Sequence, residues 1–456
     1  MTALTSINPA TGETIQSYPG LSPSAVEEIL QQADRAFTAW RGTTFATRAA
    51  TMKAAGELLR RHTETYARMM AQEMGKPLAQ GGSETEKCAW VCDYYAQHAE
   101  RFLSPEVIAT DAAKSYVTFE PLGIVLAVMP WNFPFWQVFR AAVPALMAGN
   151  AVVLKHASNV PGCALAIEEL FRQAGFPEGL FRALLVSADQ VAGLIEHPLV
   201  KGVTLTGSTP AGRAVAAKAG ASLKKTVLEL GGSDPYIILE DADLEPTVEA
   251  CVASRLINSG QSCISAKRFI VVESIRAQFE ERFVQRMHAQ KVGDPFDEAV
   301  TVGPLARHDL RDALHEQVRA SVQRGARVLL GGTIPDQQGA YYPPTVLTDV
   351  KQGMPVYEEE TFGPVAAIIS VKDEAEAIQV ANDSPYGLGA AIFTKDHERG
   401  ERIAAEHLEA GCCFVNAFVR SDPRLPFGGV KQSGYGRELS IFGIREFVNI
   451  KTVYVK

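Results

Sequence analysis

The chain has few cysteines, no excess of positive charge and no long apolar run. Seven cysteines among 456 residues are too few, and too odd in number, for a disulfide scaffold, so we expect reduced thiols and a cytoplasmic protein. Lys and Arg total 44 against 52 Asp and Glu, a net charge of −8 that argues against nucleic-acid binding. The longest apolar stretches, GIVLAVMP and AVVLK, are far shorter than the ~20 residues of a membrane span, so we expect no membrane association.

Several motifs are also missing. The nine histidines are scattered, and Cys88 and Cys92 lie one helical turn apart without a second pair, so we predict packing roles for them and no metal site. The dinucleotide fingerprint G-x-G-x-x-G is absent. No histidine shares a motif with Cys263, which argues against a Cys–His hydrolase.

The first hundred residues predict helices. Ser22 followed by Pro23 is a typical helix start, and the run 48–74 reads as one long amphipathic helix. Ser83 with Glu86 three residues later has the spacing of a capping box, which predicts the start of the next helix.

From Tyr116 onward, short β-rich runs alternate with helical stretches, and a second such set begins near Pro235. This alternation is typical of βαβ units around parallel sheets, so we predict an α/β fold with two domains in series. The final NIKTVYVK reads as a strand that pairs with another part of the chain or with another subunit.

Cys263 lies in the polar loop NSGQSCISAK, followed closely by Lys267 and Arg268. A thiol near cations can have a lowered pKa and act as a nucleophile, but an inert, half-exposed thiol fits the local sequence equally well. Glu229 ends the run TVLEL before two glycines, which suits a general base, an ion-pair partner or a helix cap.

Two further segments allow more than one interpretation. Asn132 in MPWNFP could donate to an oxyanion or form an Asx turn. The turn from Gly207 to Gly212 could present backbone N–H groups to a phosphate or merely connect a strand to a helix.

Together these segments resemble the aldehyde dehydrogenase superfamily over nearly the whole chain. The motifs that carry the resemblance are, in order, INPATGE, PWNFP at 130–134, GNAVVLK at 149–155, LTGS at 205–208, LELGG at 228–232, GQSC at 260–263, EEETFGPV at 358–365, NDSPYGL at 382–388 and PFGGVKQSGYGRE at 426–438. The resemblance implies two Rossmann-type parallel-sheet domains and a small β oligomerisation arm. The expected limits are 1–103 with 123–231 for the dinucleotide-binding domain, 232–438 for the catalytic domain, and 104–122 with 439–456 for the arm.

The resemblance also implies a set of site residues. Cys263 would be the nucleophile, Glu229 the general base and Asn132 the oxyanion donor, in an oxidation that passes through a thiohemiacetal and a thioester. The residues expected around the cofactor are Trp131, Asn132, Lys155, Ser158, Gly207, Ser208, Leu230, Glu360 and Phe362.

One departure from the family pattern concerns the cofactor. NAD-preferring members commonly read Lys-Pro-Ser-Glu where this chain reads Lys155-His156-Ala157-Ser158. A carboxylate there would repel a 2′-phosphate, whereas a serine hydroxyl can bind it. We therefore predict NADP, with NAD as the weaker alternative.

For the substrate, Arg140 resembles the arginine that binds the distal carboxylate in succinate-semialdehyde dehydrogenases, with a structural ion pair as its ordinary alternative. Trp136, Arg420 and Ser421 are expected nearby. Some succinate-semialdehyde dehydrogenases have a second arginine six residues before the nucleophile. In this chain that position is Ile257, and the nearest arginine is Arg255. KHASN and GRELSIFG most resemble the shorter bacterial succinate-semialdehyde dehydrogenases.

The sequence thus predicts an NADP-dependent oxidation of succinate semialdehyde, and a homodimer or homotetramer. The alternatives are a broad-range dehydrogenase for small aliphatic or hydroxylated aldehydes, a cysteine hydrolase that needs no nicotinamide, and a binding protein that kept the fold without turnover.

Overall fold

The structure is a computed structural model that describes residues 3–456. In this range no helix is long and apolar enough to cross a membrane. The same residues contain no group of three or more His, Cys, Asp or Glu side chains arranged to hold a metal ion.

The N-terminal region is a helical layer behind a β-hairpin. Its elements are β1 (Leu4–Ile7), β2 (Thr14–Tyr18), α1 (Pro23–Trp40), α2 (Phe45–Arg61), α3 (Thr63–Met74) and α4 (Leu78–Phe102). The predicted start of α1 is confirmed, because the Ser22 hydroxyl accepts the Ala25 N–H at 3.1 Å.

Two helix predictions are wrong. The run 48–74 is not one helix, since the backbone leaves helical geometry at His62, where φ is −108° and ψ is 19°, between α2 and α3. Ser83 does not start a helix; it lies inside α4, and its hydroxyl donates to the Ala79 carbonyl one turn earlier.

The first sheet has the strand order β19-β9-β8-β5-β6-β7 and is parallel except for the edge strand β19. Its region comprises β3 (Glu106–Val107), β4 (Lys114–Pro121), β5 (Ile124–Met129), α5 (Trp136–Ala148), β6 (Ala151–His156), α6 (Pro161–Gln173), β7 (Phe181–Ala183), a 3₁₀ turn at Ala188–Gln190, α7 (Val191–Glu196), β8 (Val200–Thr206), α8 (Thr209–Ala221) and β9 (Lys225–Glu229). Helices cover both faces, so the central strands read as continuous apolar runs rather than as alternating ones.

The second sheet has the order β12-β13-β14-β11-β10-β16-β17, parallel except for β12. The remaining elements are β10 (Asp234–Ile238), α9 (Leu244–Leu256), a 3₁₀ turn at Ile257–Gly260, β11 (Ala266–Val272), α10 (Glu273–His288), α11 (His308–Gln323), β12 (Arg327–Leu330), β13 (Thr345–Thr348), α12 (Pro355–Glu358), β14 (Val365–Val371), α13 (Glu374–Asn382), β15 (Tyr386–Gly387), β16 (Gly389–Phe393), α14 (His397–Glu406), β17 (Cys412–Val415), β18 (Val430–Lys431), β19 (Gly434–Tyr435), α15 (Ser440–Ile444) and β20 (Val448–Val455).

The C-terminal strand β20 runs antiparallel to β4, which also pairs with β3. This three-stranded sheet leaves large apolar side chains in solvent, with Val107 76% and Ile450 61% exposed. The two parallel sheets confirm the predicted α/β fold class, whereas the domain limits stay a prediction.

Candidate active site

A cavity of about 600 Å³ lies where α4, α5 and α9 meet the loop that follows β17. Cys263 lines it, and so do all four residues expected at the substrate: Trp136, Arg140, Arg420 and Ser421. The fold therefore brings one thiol and several cations to the wall of the same cavity.

The loop that carries Cys263 is held in an unusual backbone conformation. Asn258 and Ser259 have φ of 53° and 55°, and Gly260 follows with φ of 77°. Left-handed geometry is costly for side chains other than glycine, and it persists only where the surroundings enforce it. Here the Asn258 Nδ2 donates to the Asn132 carbonyl at 2.7 Å, and the Ser259 hydroxyl accepts the Gly303 N–H at 2.9 Å.

Two buried cations hold the carbonyl groups on either side of the thiol. The Lys267 Nζ donates to the carbonyls of Ser262 and Cys263 at 2.9 and 2.6 Å. Arg255 donates to the Gly260 carbonyl at 2.7 Å, which commits it to this loop; it is not among the side chains that line the cavity.

Of the two interpretations of Cys263 that the sequence allows, a lowered thiol pKa is not supported by the surroundings of the side chain. Burial dominates and raises the pKa of the thiol to about 12, although the charges of Arg140 and Lys267 act in the lowering direction. The sequence showed the cations but not the desolvation, which disfavours the thiolate more strongly than two cations favour it.

Glu229 ends β9 in a fully buried position, 1% exposed. Neither of its side-chain oxygens has a hydrogen-bond partner among the described residues. Burial, and secondarily Glu438, raises the pKa of Glu229 well above its ordinary value, while Arg140 and Arg437 oppose that shift. A carboxyl group whose oxygens have no bonded partner keeps lone pairs with which to accept a proton.

Asn132 lies at the end of the segment that follows β5, and only 4% of it is exposed. Its Nδ2 donates to the Gln261 carbonyl at 3.1 Å, two residues before Cys263. An amide nitrogen carries two protons, so this bond orients the side chain and leaves one donor for another acceptor.

Arg140 occupies α5, a helix whose residues are all buried. Its guanidinium forms a buried ion pair with Glu438 and lies 4.6 Å above the Phe427 ring. Arg140 is therefore an ion-pair partner that also lines the cavity, and its contact with a substrate carboxylate stays a prediction.

Lys87 is a cavity residue that the sequence analysis missed. Its Nζ donates to the Ser421 hydroxyl at 2.7 Å and lies 4.4 Å from the centre of the Trp136 ring. The sequence signal is slight: this lysine directly precedes the buried Cys88 on α4, and nothing nearby marks it as a ligand.

The residues expected to bind the phosphate and ribose groups of the cofactor lie at the carboxyl ends of β6 and β8. Lys155 is 8% exposed; burial lowers its pKa, and no carboxylate of the described residues opposes that shift. Ser208 caps the 13-residue helix α8, and the Gly207 N–H before it donates to the Glu229 carbonyl at 2.9 Å. A buried, unpaired ammonium and a helix N-terminus fit an anionic cofactor.

The remaining cofactor residues lie in two groups. Trp131 and Phe362 contact each other edge to face, with ring centres 5.7 Å apart. Glu360 accepts the Gly232 N–H at 3.1 Å and lies 3.4 Å from the Lys267 Nζ, which also binds the Cys263 carbonyl.

Leu230 packs on α8, at a distance that would place its side chain 2.5 Å from a Cβ on Gly212. Ser158 is exposed at the end of the β6 segment.

The chain is similar to known enzymes and to a solved structure over nearly its whole length. A succinate semialdehyde dehydrogenase of Escherichia coli, named for NAD(P)+, is 49% identical and aligns over 98% of this chain and 97% of its own. A succinate-semialdehyde dehydrogenase of Mycobacterium bovis, named for NADP+, is 48% identical over 99% of each chain. The crystal structure of succinic semialdehyde dehydrogenase from Streptococcus pyogenes with NADP+ superposes with a TM-score of 0.97, at 39% identity, over 99% of this chain and 100% of the other.

The family model described as aldehyde dehydrogenase family matches residues 2–453. That match spans the nucleophile loop, the buried carboxylate and both sheets, as the resemblance of the motifs predicted. The chain belongs to the aldehyde dehydrogenase family.

Proposed function

We propose that this chain oxidises succinate semialdehyde to succinate, with NADP+ as the hydride acceptor. The observation that carries the proposal is one cavity lined both by the Cys263 thiol and by cations, of which Arg140 is buried and Lys87 half-buried. A thiol suits attack on an aldehyde carbon, and cations suit a carboxylate at the other end of the same molecule. The names of the similar bacterial enzymes support this substrate.

In the first half of the reaction, Cys263 attacks the aldehyde carbon and forms a thiohemiacetal. The oxygen becomes negative as the C–S bond forms, and the Asn132 Nδ2 and the Cys263 backbone N–H would donate to it. Because burial raises the pKa of Cys263 to about 12, the thiol must lose its proton as it reacts. The unpartnered oxygens of Glu229 are suited to accept that proton.

The second half is hydrolysis. After the hydride has left, the acyl group remains on the Cys263 sulfur as a thioester. Glu229 would first release the Cys263 proton to solvent and then take a proton from a water molecule that attacks the thioester carbon. As the C–S bond breaks and succinate leaves, that proton would pass to the Cys263 sulfur and restore the thiol. The raised pKa of Glu229 makes its carboxylate a stronger base than that of a solvent-exposed glutamate.

NADP+ would be held by the residues at the ends of β6 and β8. When bound, it supplies the hydride acceptor. The unpaired Lys155 ammonium and the Ser158 hydroxyl suit the 2′-phosphate, because the segment 155–158 contains no carboxylate to repel it. Ser208 at the N-terminus of α8 suits the pyrophosphate, and Glu360 suits ribose hydroxyls.

A panel of substrates and cofactors tests the proposal. Succinate semialdehyde, glutarate semialdehyde and butanal are each assayed with NAD+ and with NADP+. We expect the highest kcat/KM for succinate semialdehyde with NADP+. A kcat/KM with NAD+ equal to or above that with NADP+ would refute the cofactor assignment, and a preference for butanal would refute the substrate assignment.

We also infer that the chain forms a homodimer or homotetramer through the sheet of β3, β4 and β20. Its exposed apolar side chains, Val107, Ile450 and Tyr454, support this inference. Light scattering on the purified chain would give the subunit number. The cytoplasmic location stays a prediction from the cysteine content.

A further inference from the structure

We propose that Lys87 binds the distal carboxylate of the substrate and is the main selector for an acid semialdehyde over a neutral aldehyde. The inference rests on the proposed function and deepens it, because it names a residue for the far end of the same substrate. The resemblance to the family pointed to Arg140 for this role and gave Lys87 none.

The charge of Arg140 is already opposed inside the protein. Its guanidinium is paired with the buried Glu438 carboxylate, which also accepts the Thr204 hydroxyl at 3.4 Å. An incoming carboxylate would therefore meet an arginine that already has an anionic partner, and Glu438 would repel it. Arg140 then contributes shape and a secondary contact rather than the dominant attraction.

Lys87, in contrast, contacts only neutral groups. Among the described residues its ammonium bonds the Ser421 hydroxyl and faces the Trp136 ring, and it forms no ion pair within 4 Å. An ammonium carries three protons, so a single hydroxyl partner leaves donors for another acceptor. The cavity thus contains a half-buried positive charge without a bonded anion among the described residues.

The surroundings of Lys87 show that this charge is costly without a ligand. Burial, with a further contribution from Arg140, lowers the pKa of Lys87 to about 8. The groups that act in the opposite direction are Cys88 and Glu84 on its own helix and Asp422 in the loop after β17. A substrate carboxylate beside the ammonium would favour its charged form, so anion binding is coupled to the protonation of Lys87.

The first test compares Lys87→Met and Lys87→Arg with the wild type, on succinate semialdehyde and on butanal. Met keeps an unbranched apolar stem over Trp136 but removes the charge. We expect KM for succinate semialdehyde to rise about 10- to 100-fold in K87M, as for a lost charge-assisted hydrogen bond, with kcat within about threefold. KM for butanal should change by less than about threefold, and K87R should recover most of the affinity for the semialdehyde.

Arg101→Met is the matched control. Arg101 is a cation on the same helix that lies 5.1 Å from the centre of an aromatic ring, Phe102, but it is exposed and outside the cavity. Its KM values should equal those of the wild type. An unchanged KM for succinate semialdehyde in K87M, or an equal rise for both aldehydes, would overturn the assignment of Lys87.

The pH profile of the wild type provides a second measurement that needs no variant. Above pH 8 the unliganded Lys87 loses its proton, so the ratio of kcat/KM for succinate semialdehyde to that for butanal should fall about tenfold per pH unit. The ratio removes effects of Cys263 and Glu229, which act on both aldehydes. A ratio that stays flat from pH 7 to pH 9.5 contradicts the proposal.

The wild-type data separate the two levels of inference. If the wild type prefers succinate semialdehyde but K87M keeps that preference, only the role of Lys87 fails. If the wild type itself shows no preference over butanal, the proposed function fails, and the role of Lys87 fails with it.

Discussion

The Arg140 guanidinium and the Glu438 carboxylate form a buried ion pair whose two charges act on Glu229 in opposite directions. Arg140 lowers the pKa of Glu229, and Glu438 raises it. The pair therefore supports the fold at α5 and also sets the proton affinity of the carboxyl group that we propose as the base. It explains why Arg140 is fully buried although it borders a cavity.

Removing one partner of this pair should be costly. We expect Arg140→Met to lower the free energy of unfolding by about 3–5 kcal/mol, because Glu438 would remain as an uncompensated buried charge. Arg140→Met combined with Glu438→Leu should recover much of that loss. Urea unfolding of the two single variants and the double variant measures the coupling; purely additive losses would contradict the pair.

Alkylation of the free enzyme should report the raised pKa of Cys263. Since that pKa is about 12, the thiolate fraction, and with it the rate of modification by iodoacetamide, should rise about tenfold per pH unit between pH 7 and pH 9. Mass spectrometry of the peptide that contains Cys263 gives the rate. A plateau below pH 8 would show that the cations dominate over burial.

Glu229→Gln should separate the two halves of the reaction. Gln has the same shape but cannot accept a proton, so thioester hydrolysis should slow by about 10²- to 10⁴-fold. Hydride transfer should slow less, and a burst of NADPH should appear before the slow steady state. Stopped-flow absorbance shows the burst, and an unchanged rate of thioester hydrolysis would remove Glu229 from the hydrolytic step.

Gly260→Ala should disrupt the nucleophile loop. Its φ is 77°, and an added Cβ would lie 2.3 Å from the Gly363 carbonyl group, so the backbone before Cys263 must shift. We expect kcat to fall at least about 100-fold, since reacting groups tolerate little displacement. Gly175→Ala is the matched control: its φ is 90° with open space around it, so only the modest backbone strain remains. Equal kcat in both variants would contradict this geometry.

Ser158→Glu should reverse the cofactor preference. The position is exposed, so the substitution should fold normally, and a carboxylate there would repel a 2′-phosphate while accepting from ribose hydroxyls. We expect KM for NADP+ to rise at least about tenfold and KM for NAD+ to fall or stay constant. Initial rates with both cofactors decide this, and an unchanged KM for NADP+ would place the phosphate elsewhere.

The sequence predicted the fold class well because buried parallel strands and amphipathic helices leave distinct patterns. It failed where two local signals compete. Ser83 and Glu86 have the spacing of a capping box, yet the Ser83 hydroxyl bonds the Ala79 carbonyl within α4. No pattern in the run 48–74 marks His62 as the break between α2 and α3.

The sequence motifs indicated the candidate site residues, but not the cation Lys87 or the pKa of Cys263. Cys263, Glu229 and Asn132 lie in motifs that the sequence shows directly. Lys87 and Ser421 are 334 residues apart in the chain, and only the fold brings them together. The raised pKa of Cys263 likewise depends on burial, which no local sequence pattern conveys.

The hydrogen bond from the Gly207 N–H to the Glu229 carbonyl has a consequence for protein engineering. It connects the turn expected to meet the pyrophosphate to the backbone of the residue expected to release the product. Substitutions at Gly207 or Ser208 that are meant to change the cofactor preference would therefore also shift the backbone of Glu229. Such variants should be judged by product release as well as by coenzyme affinity.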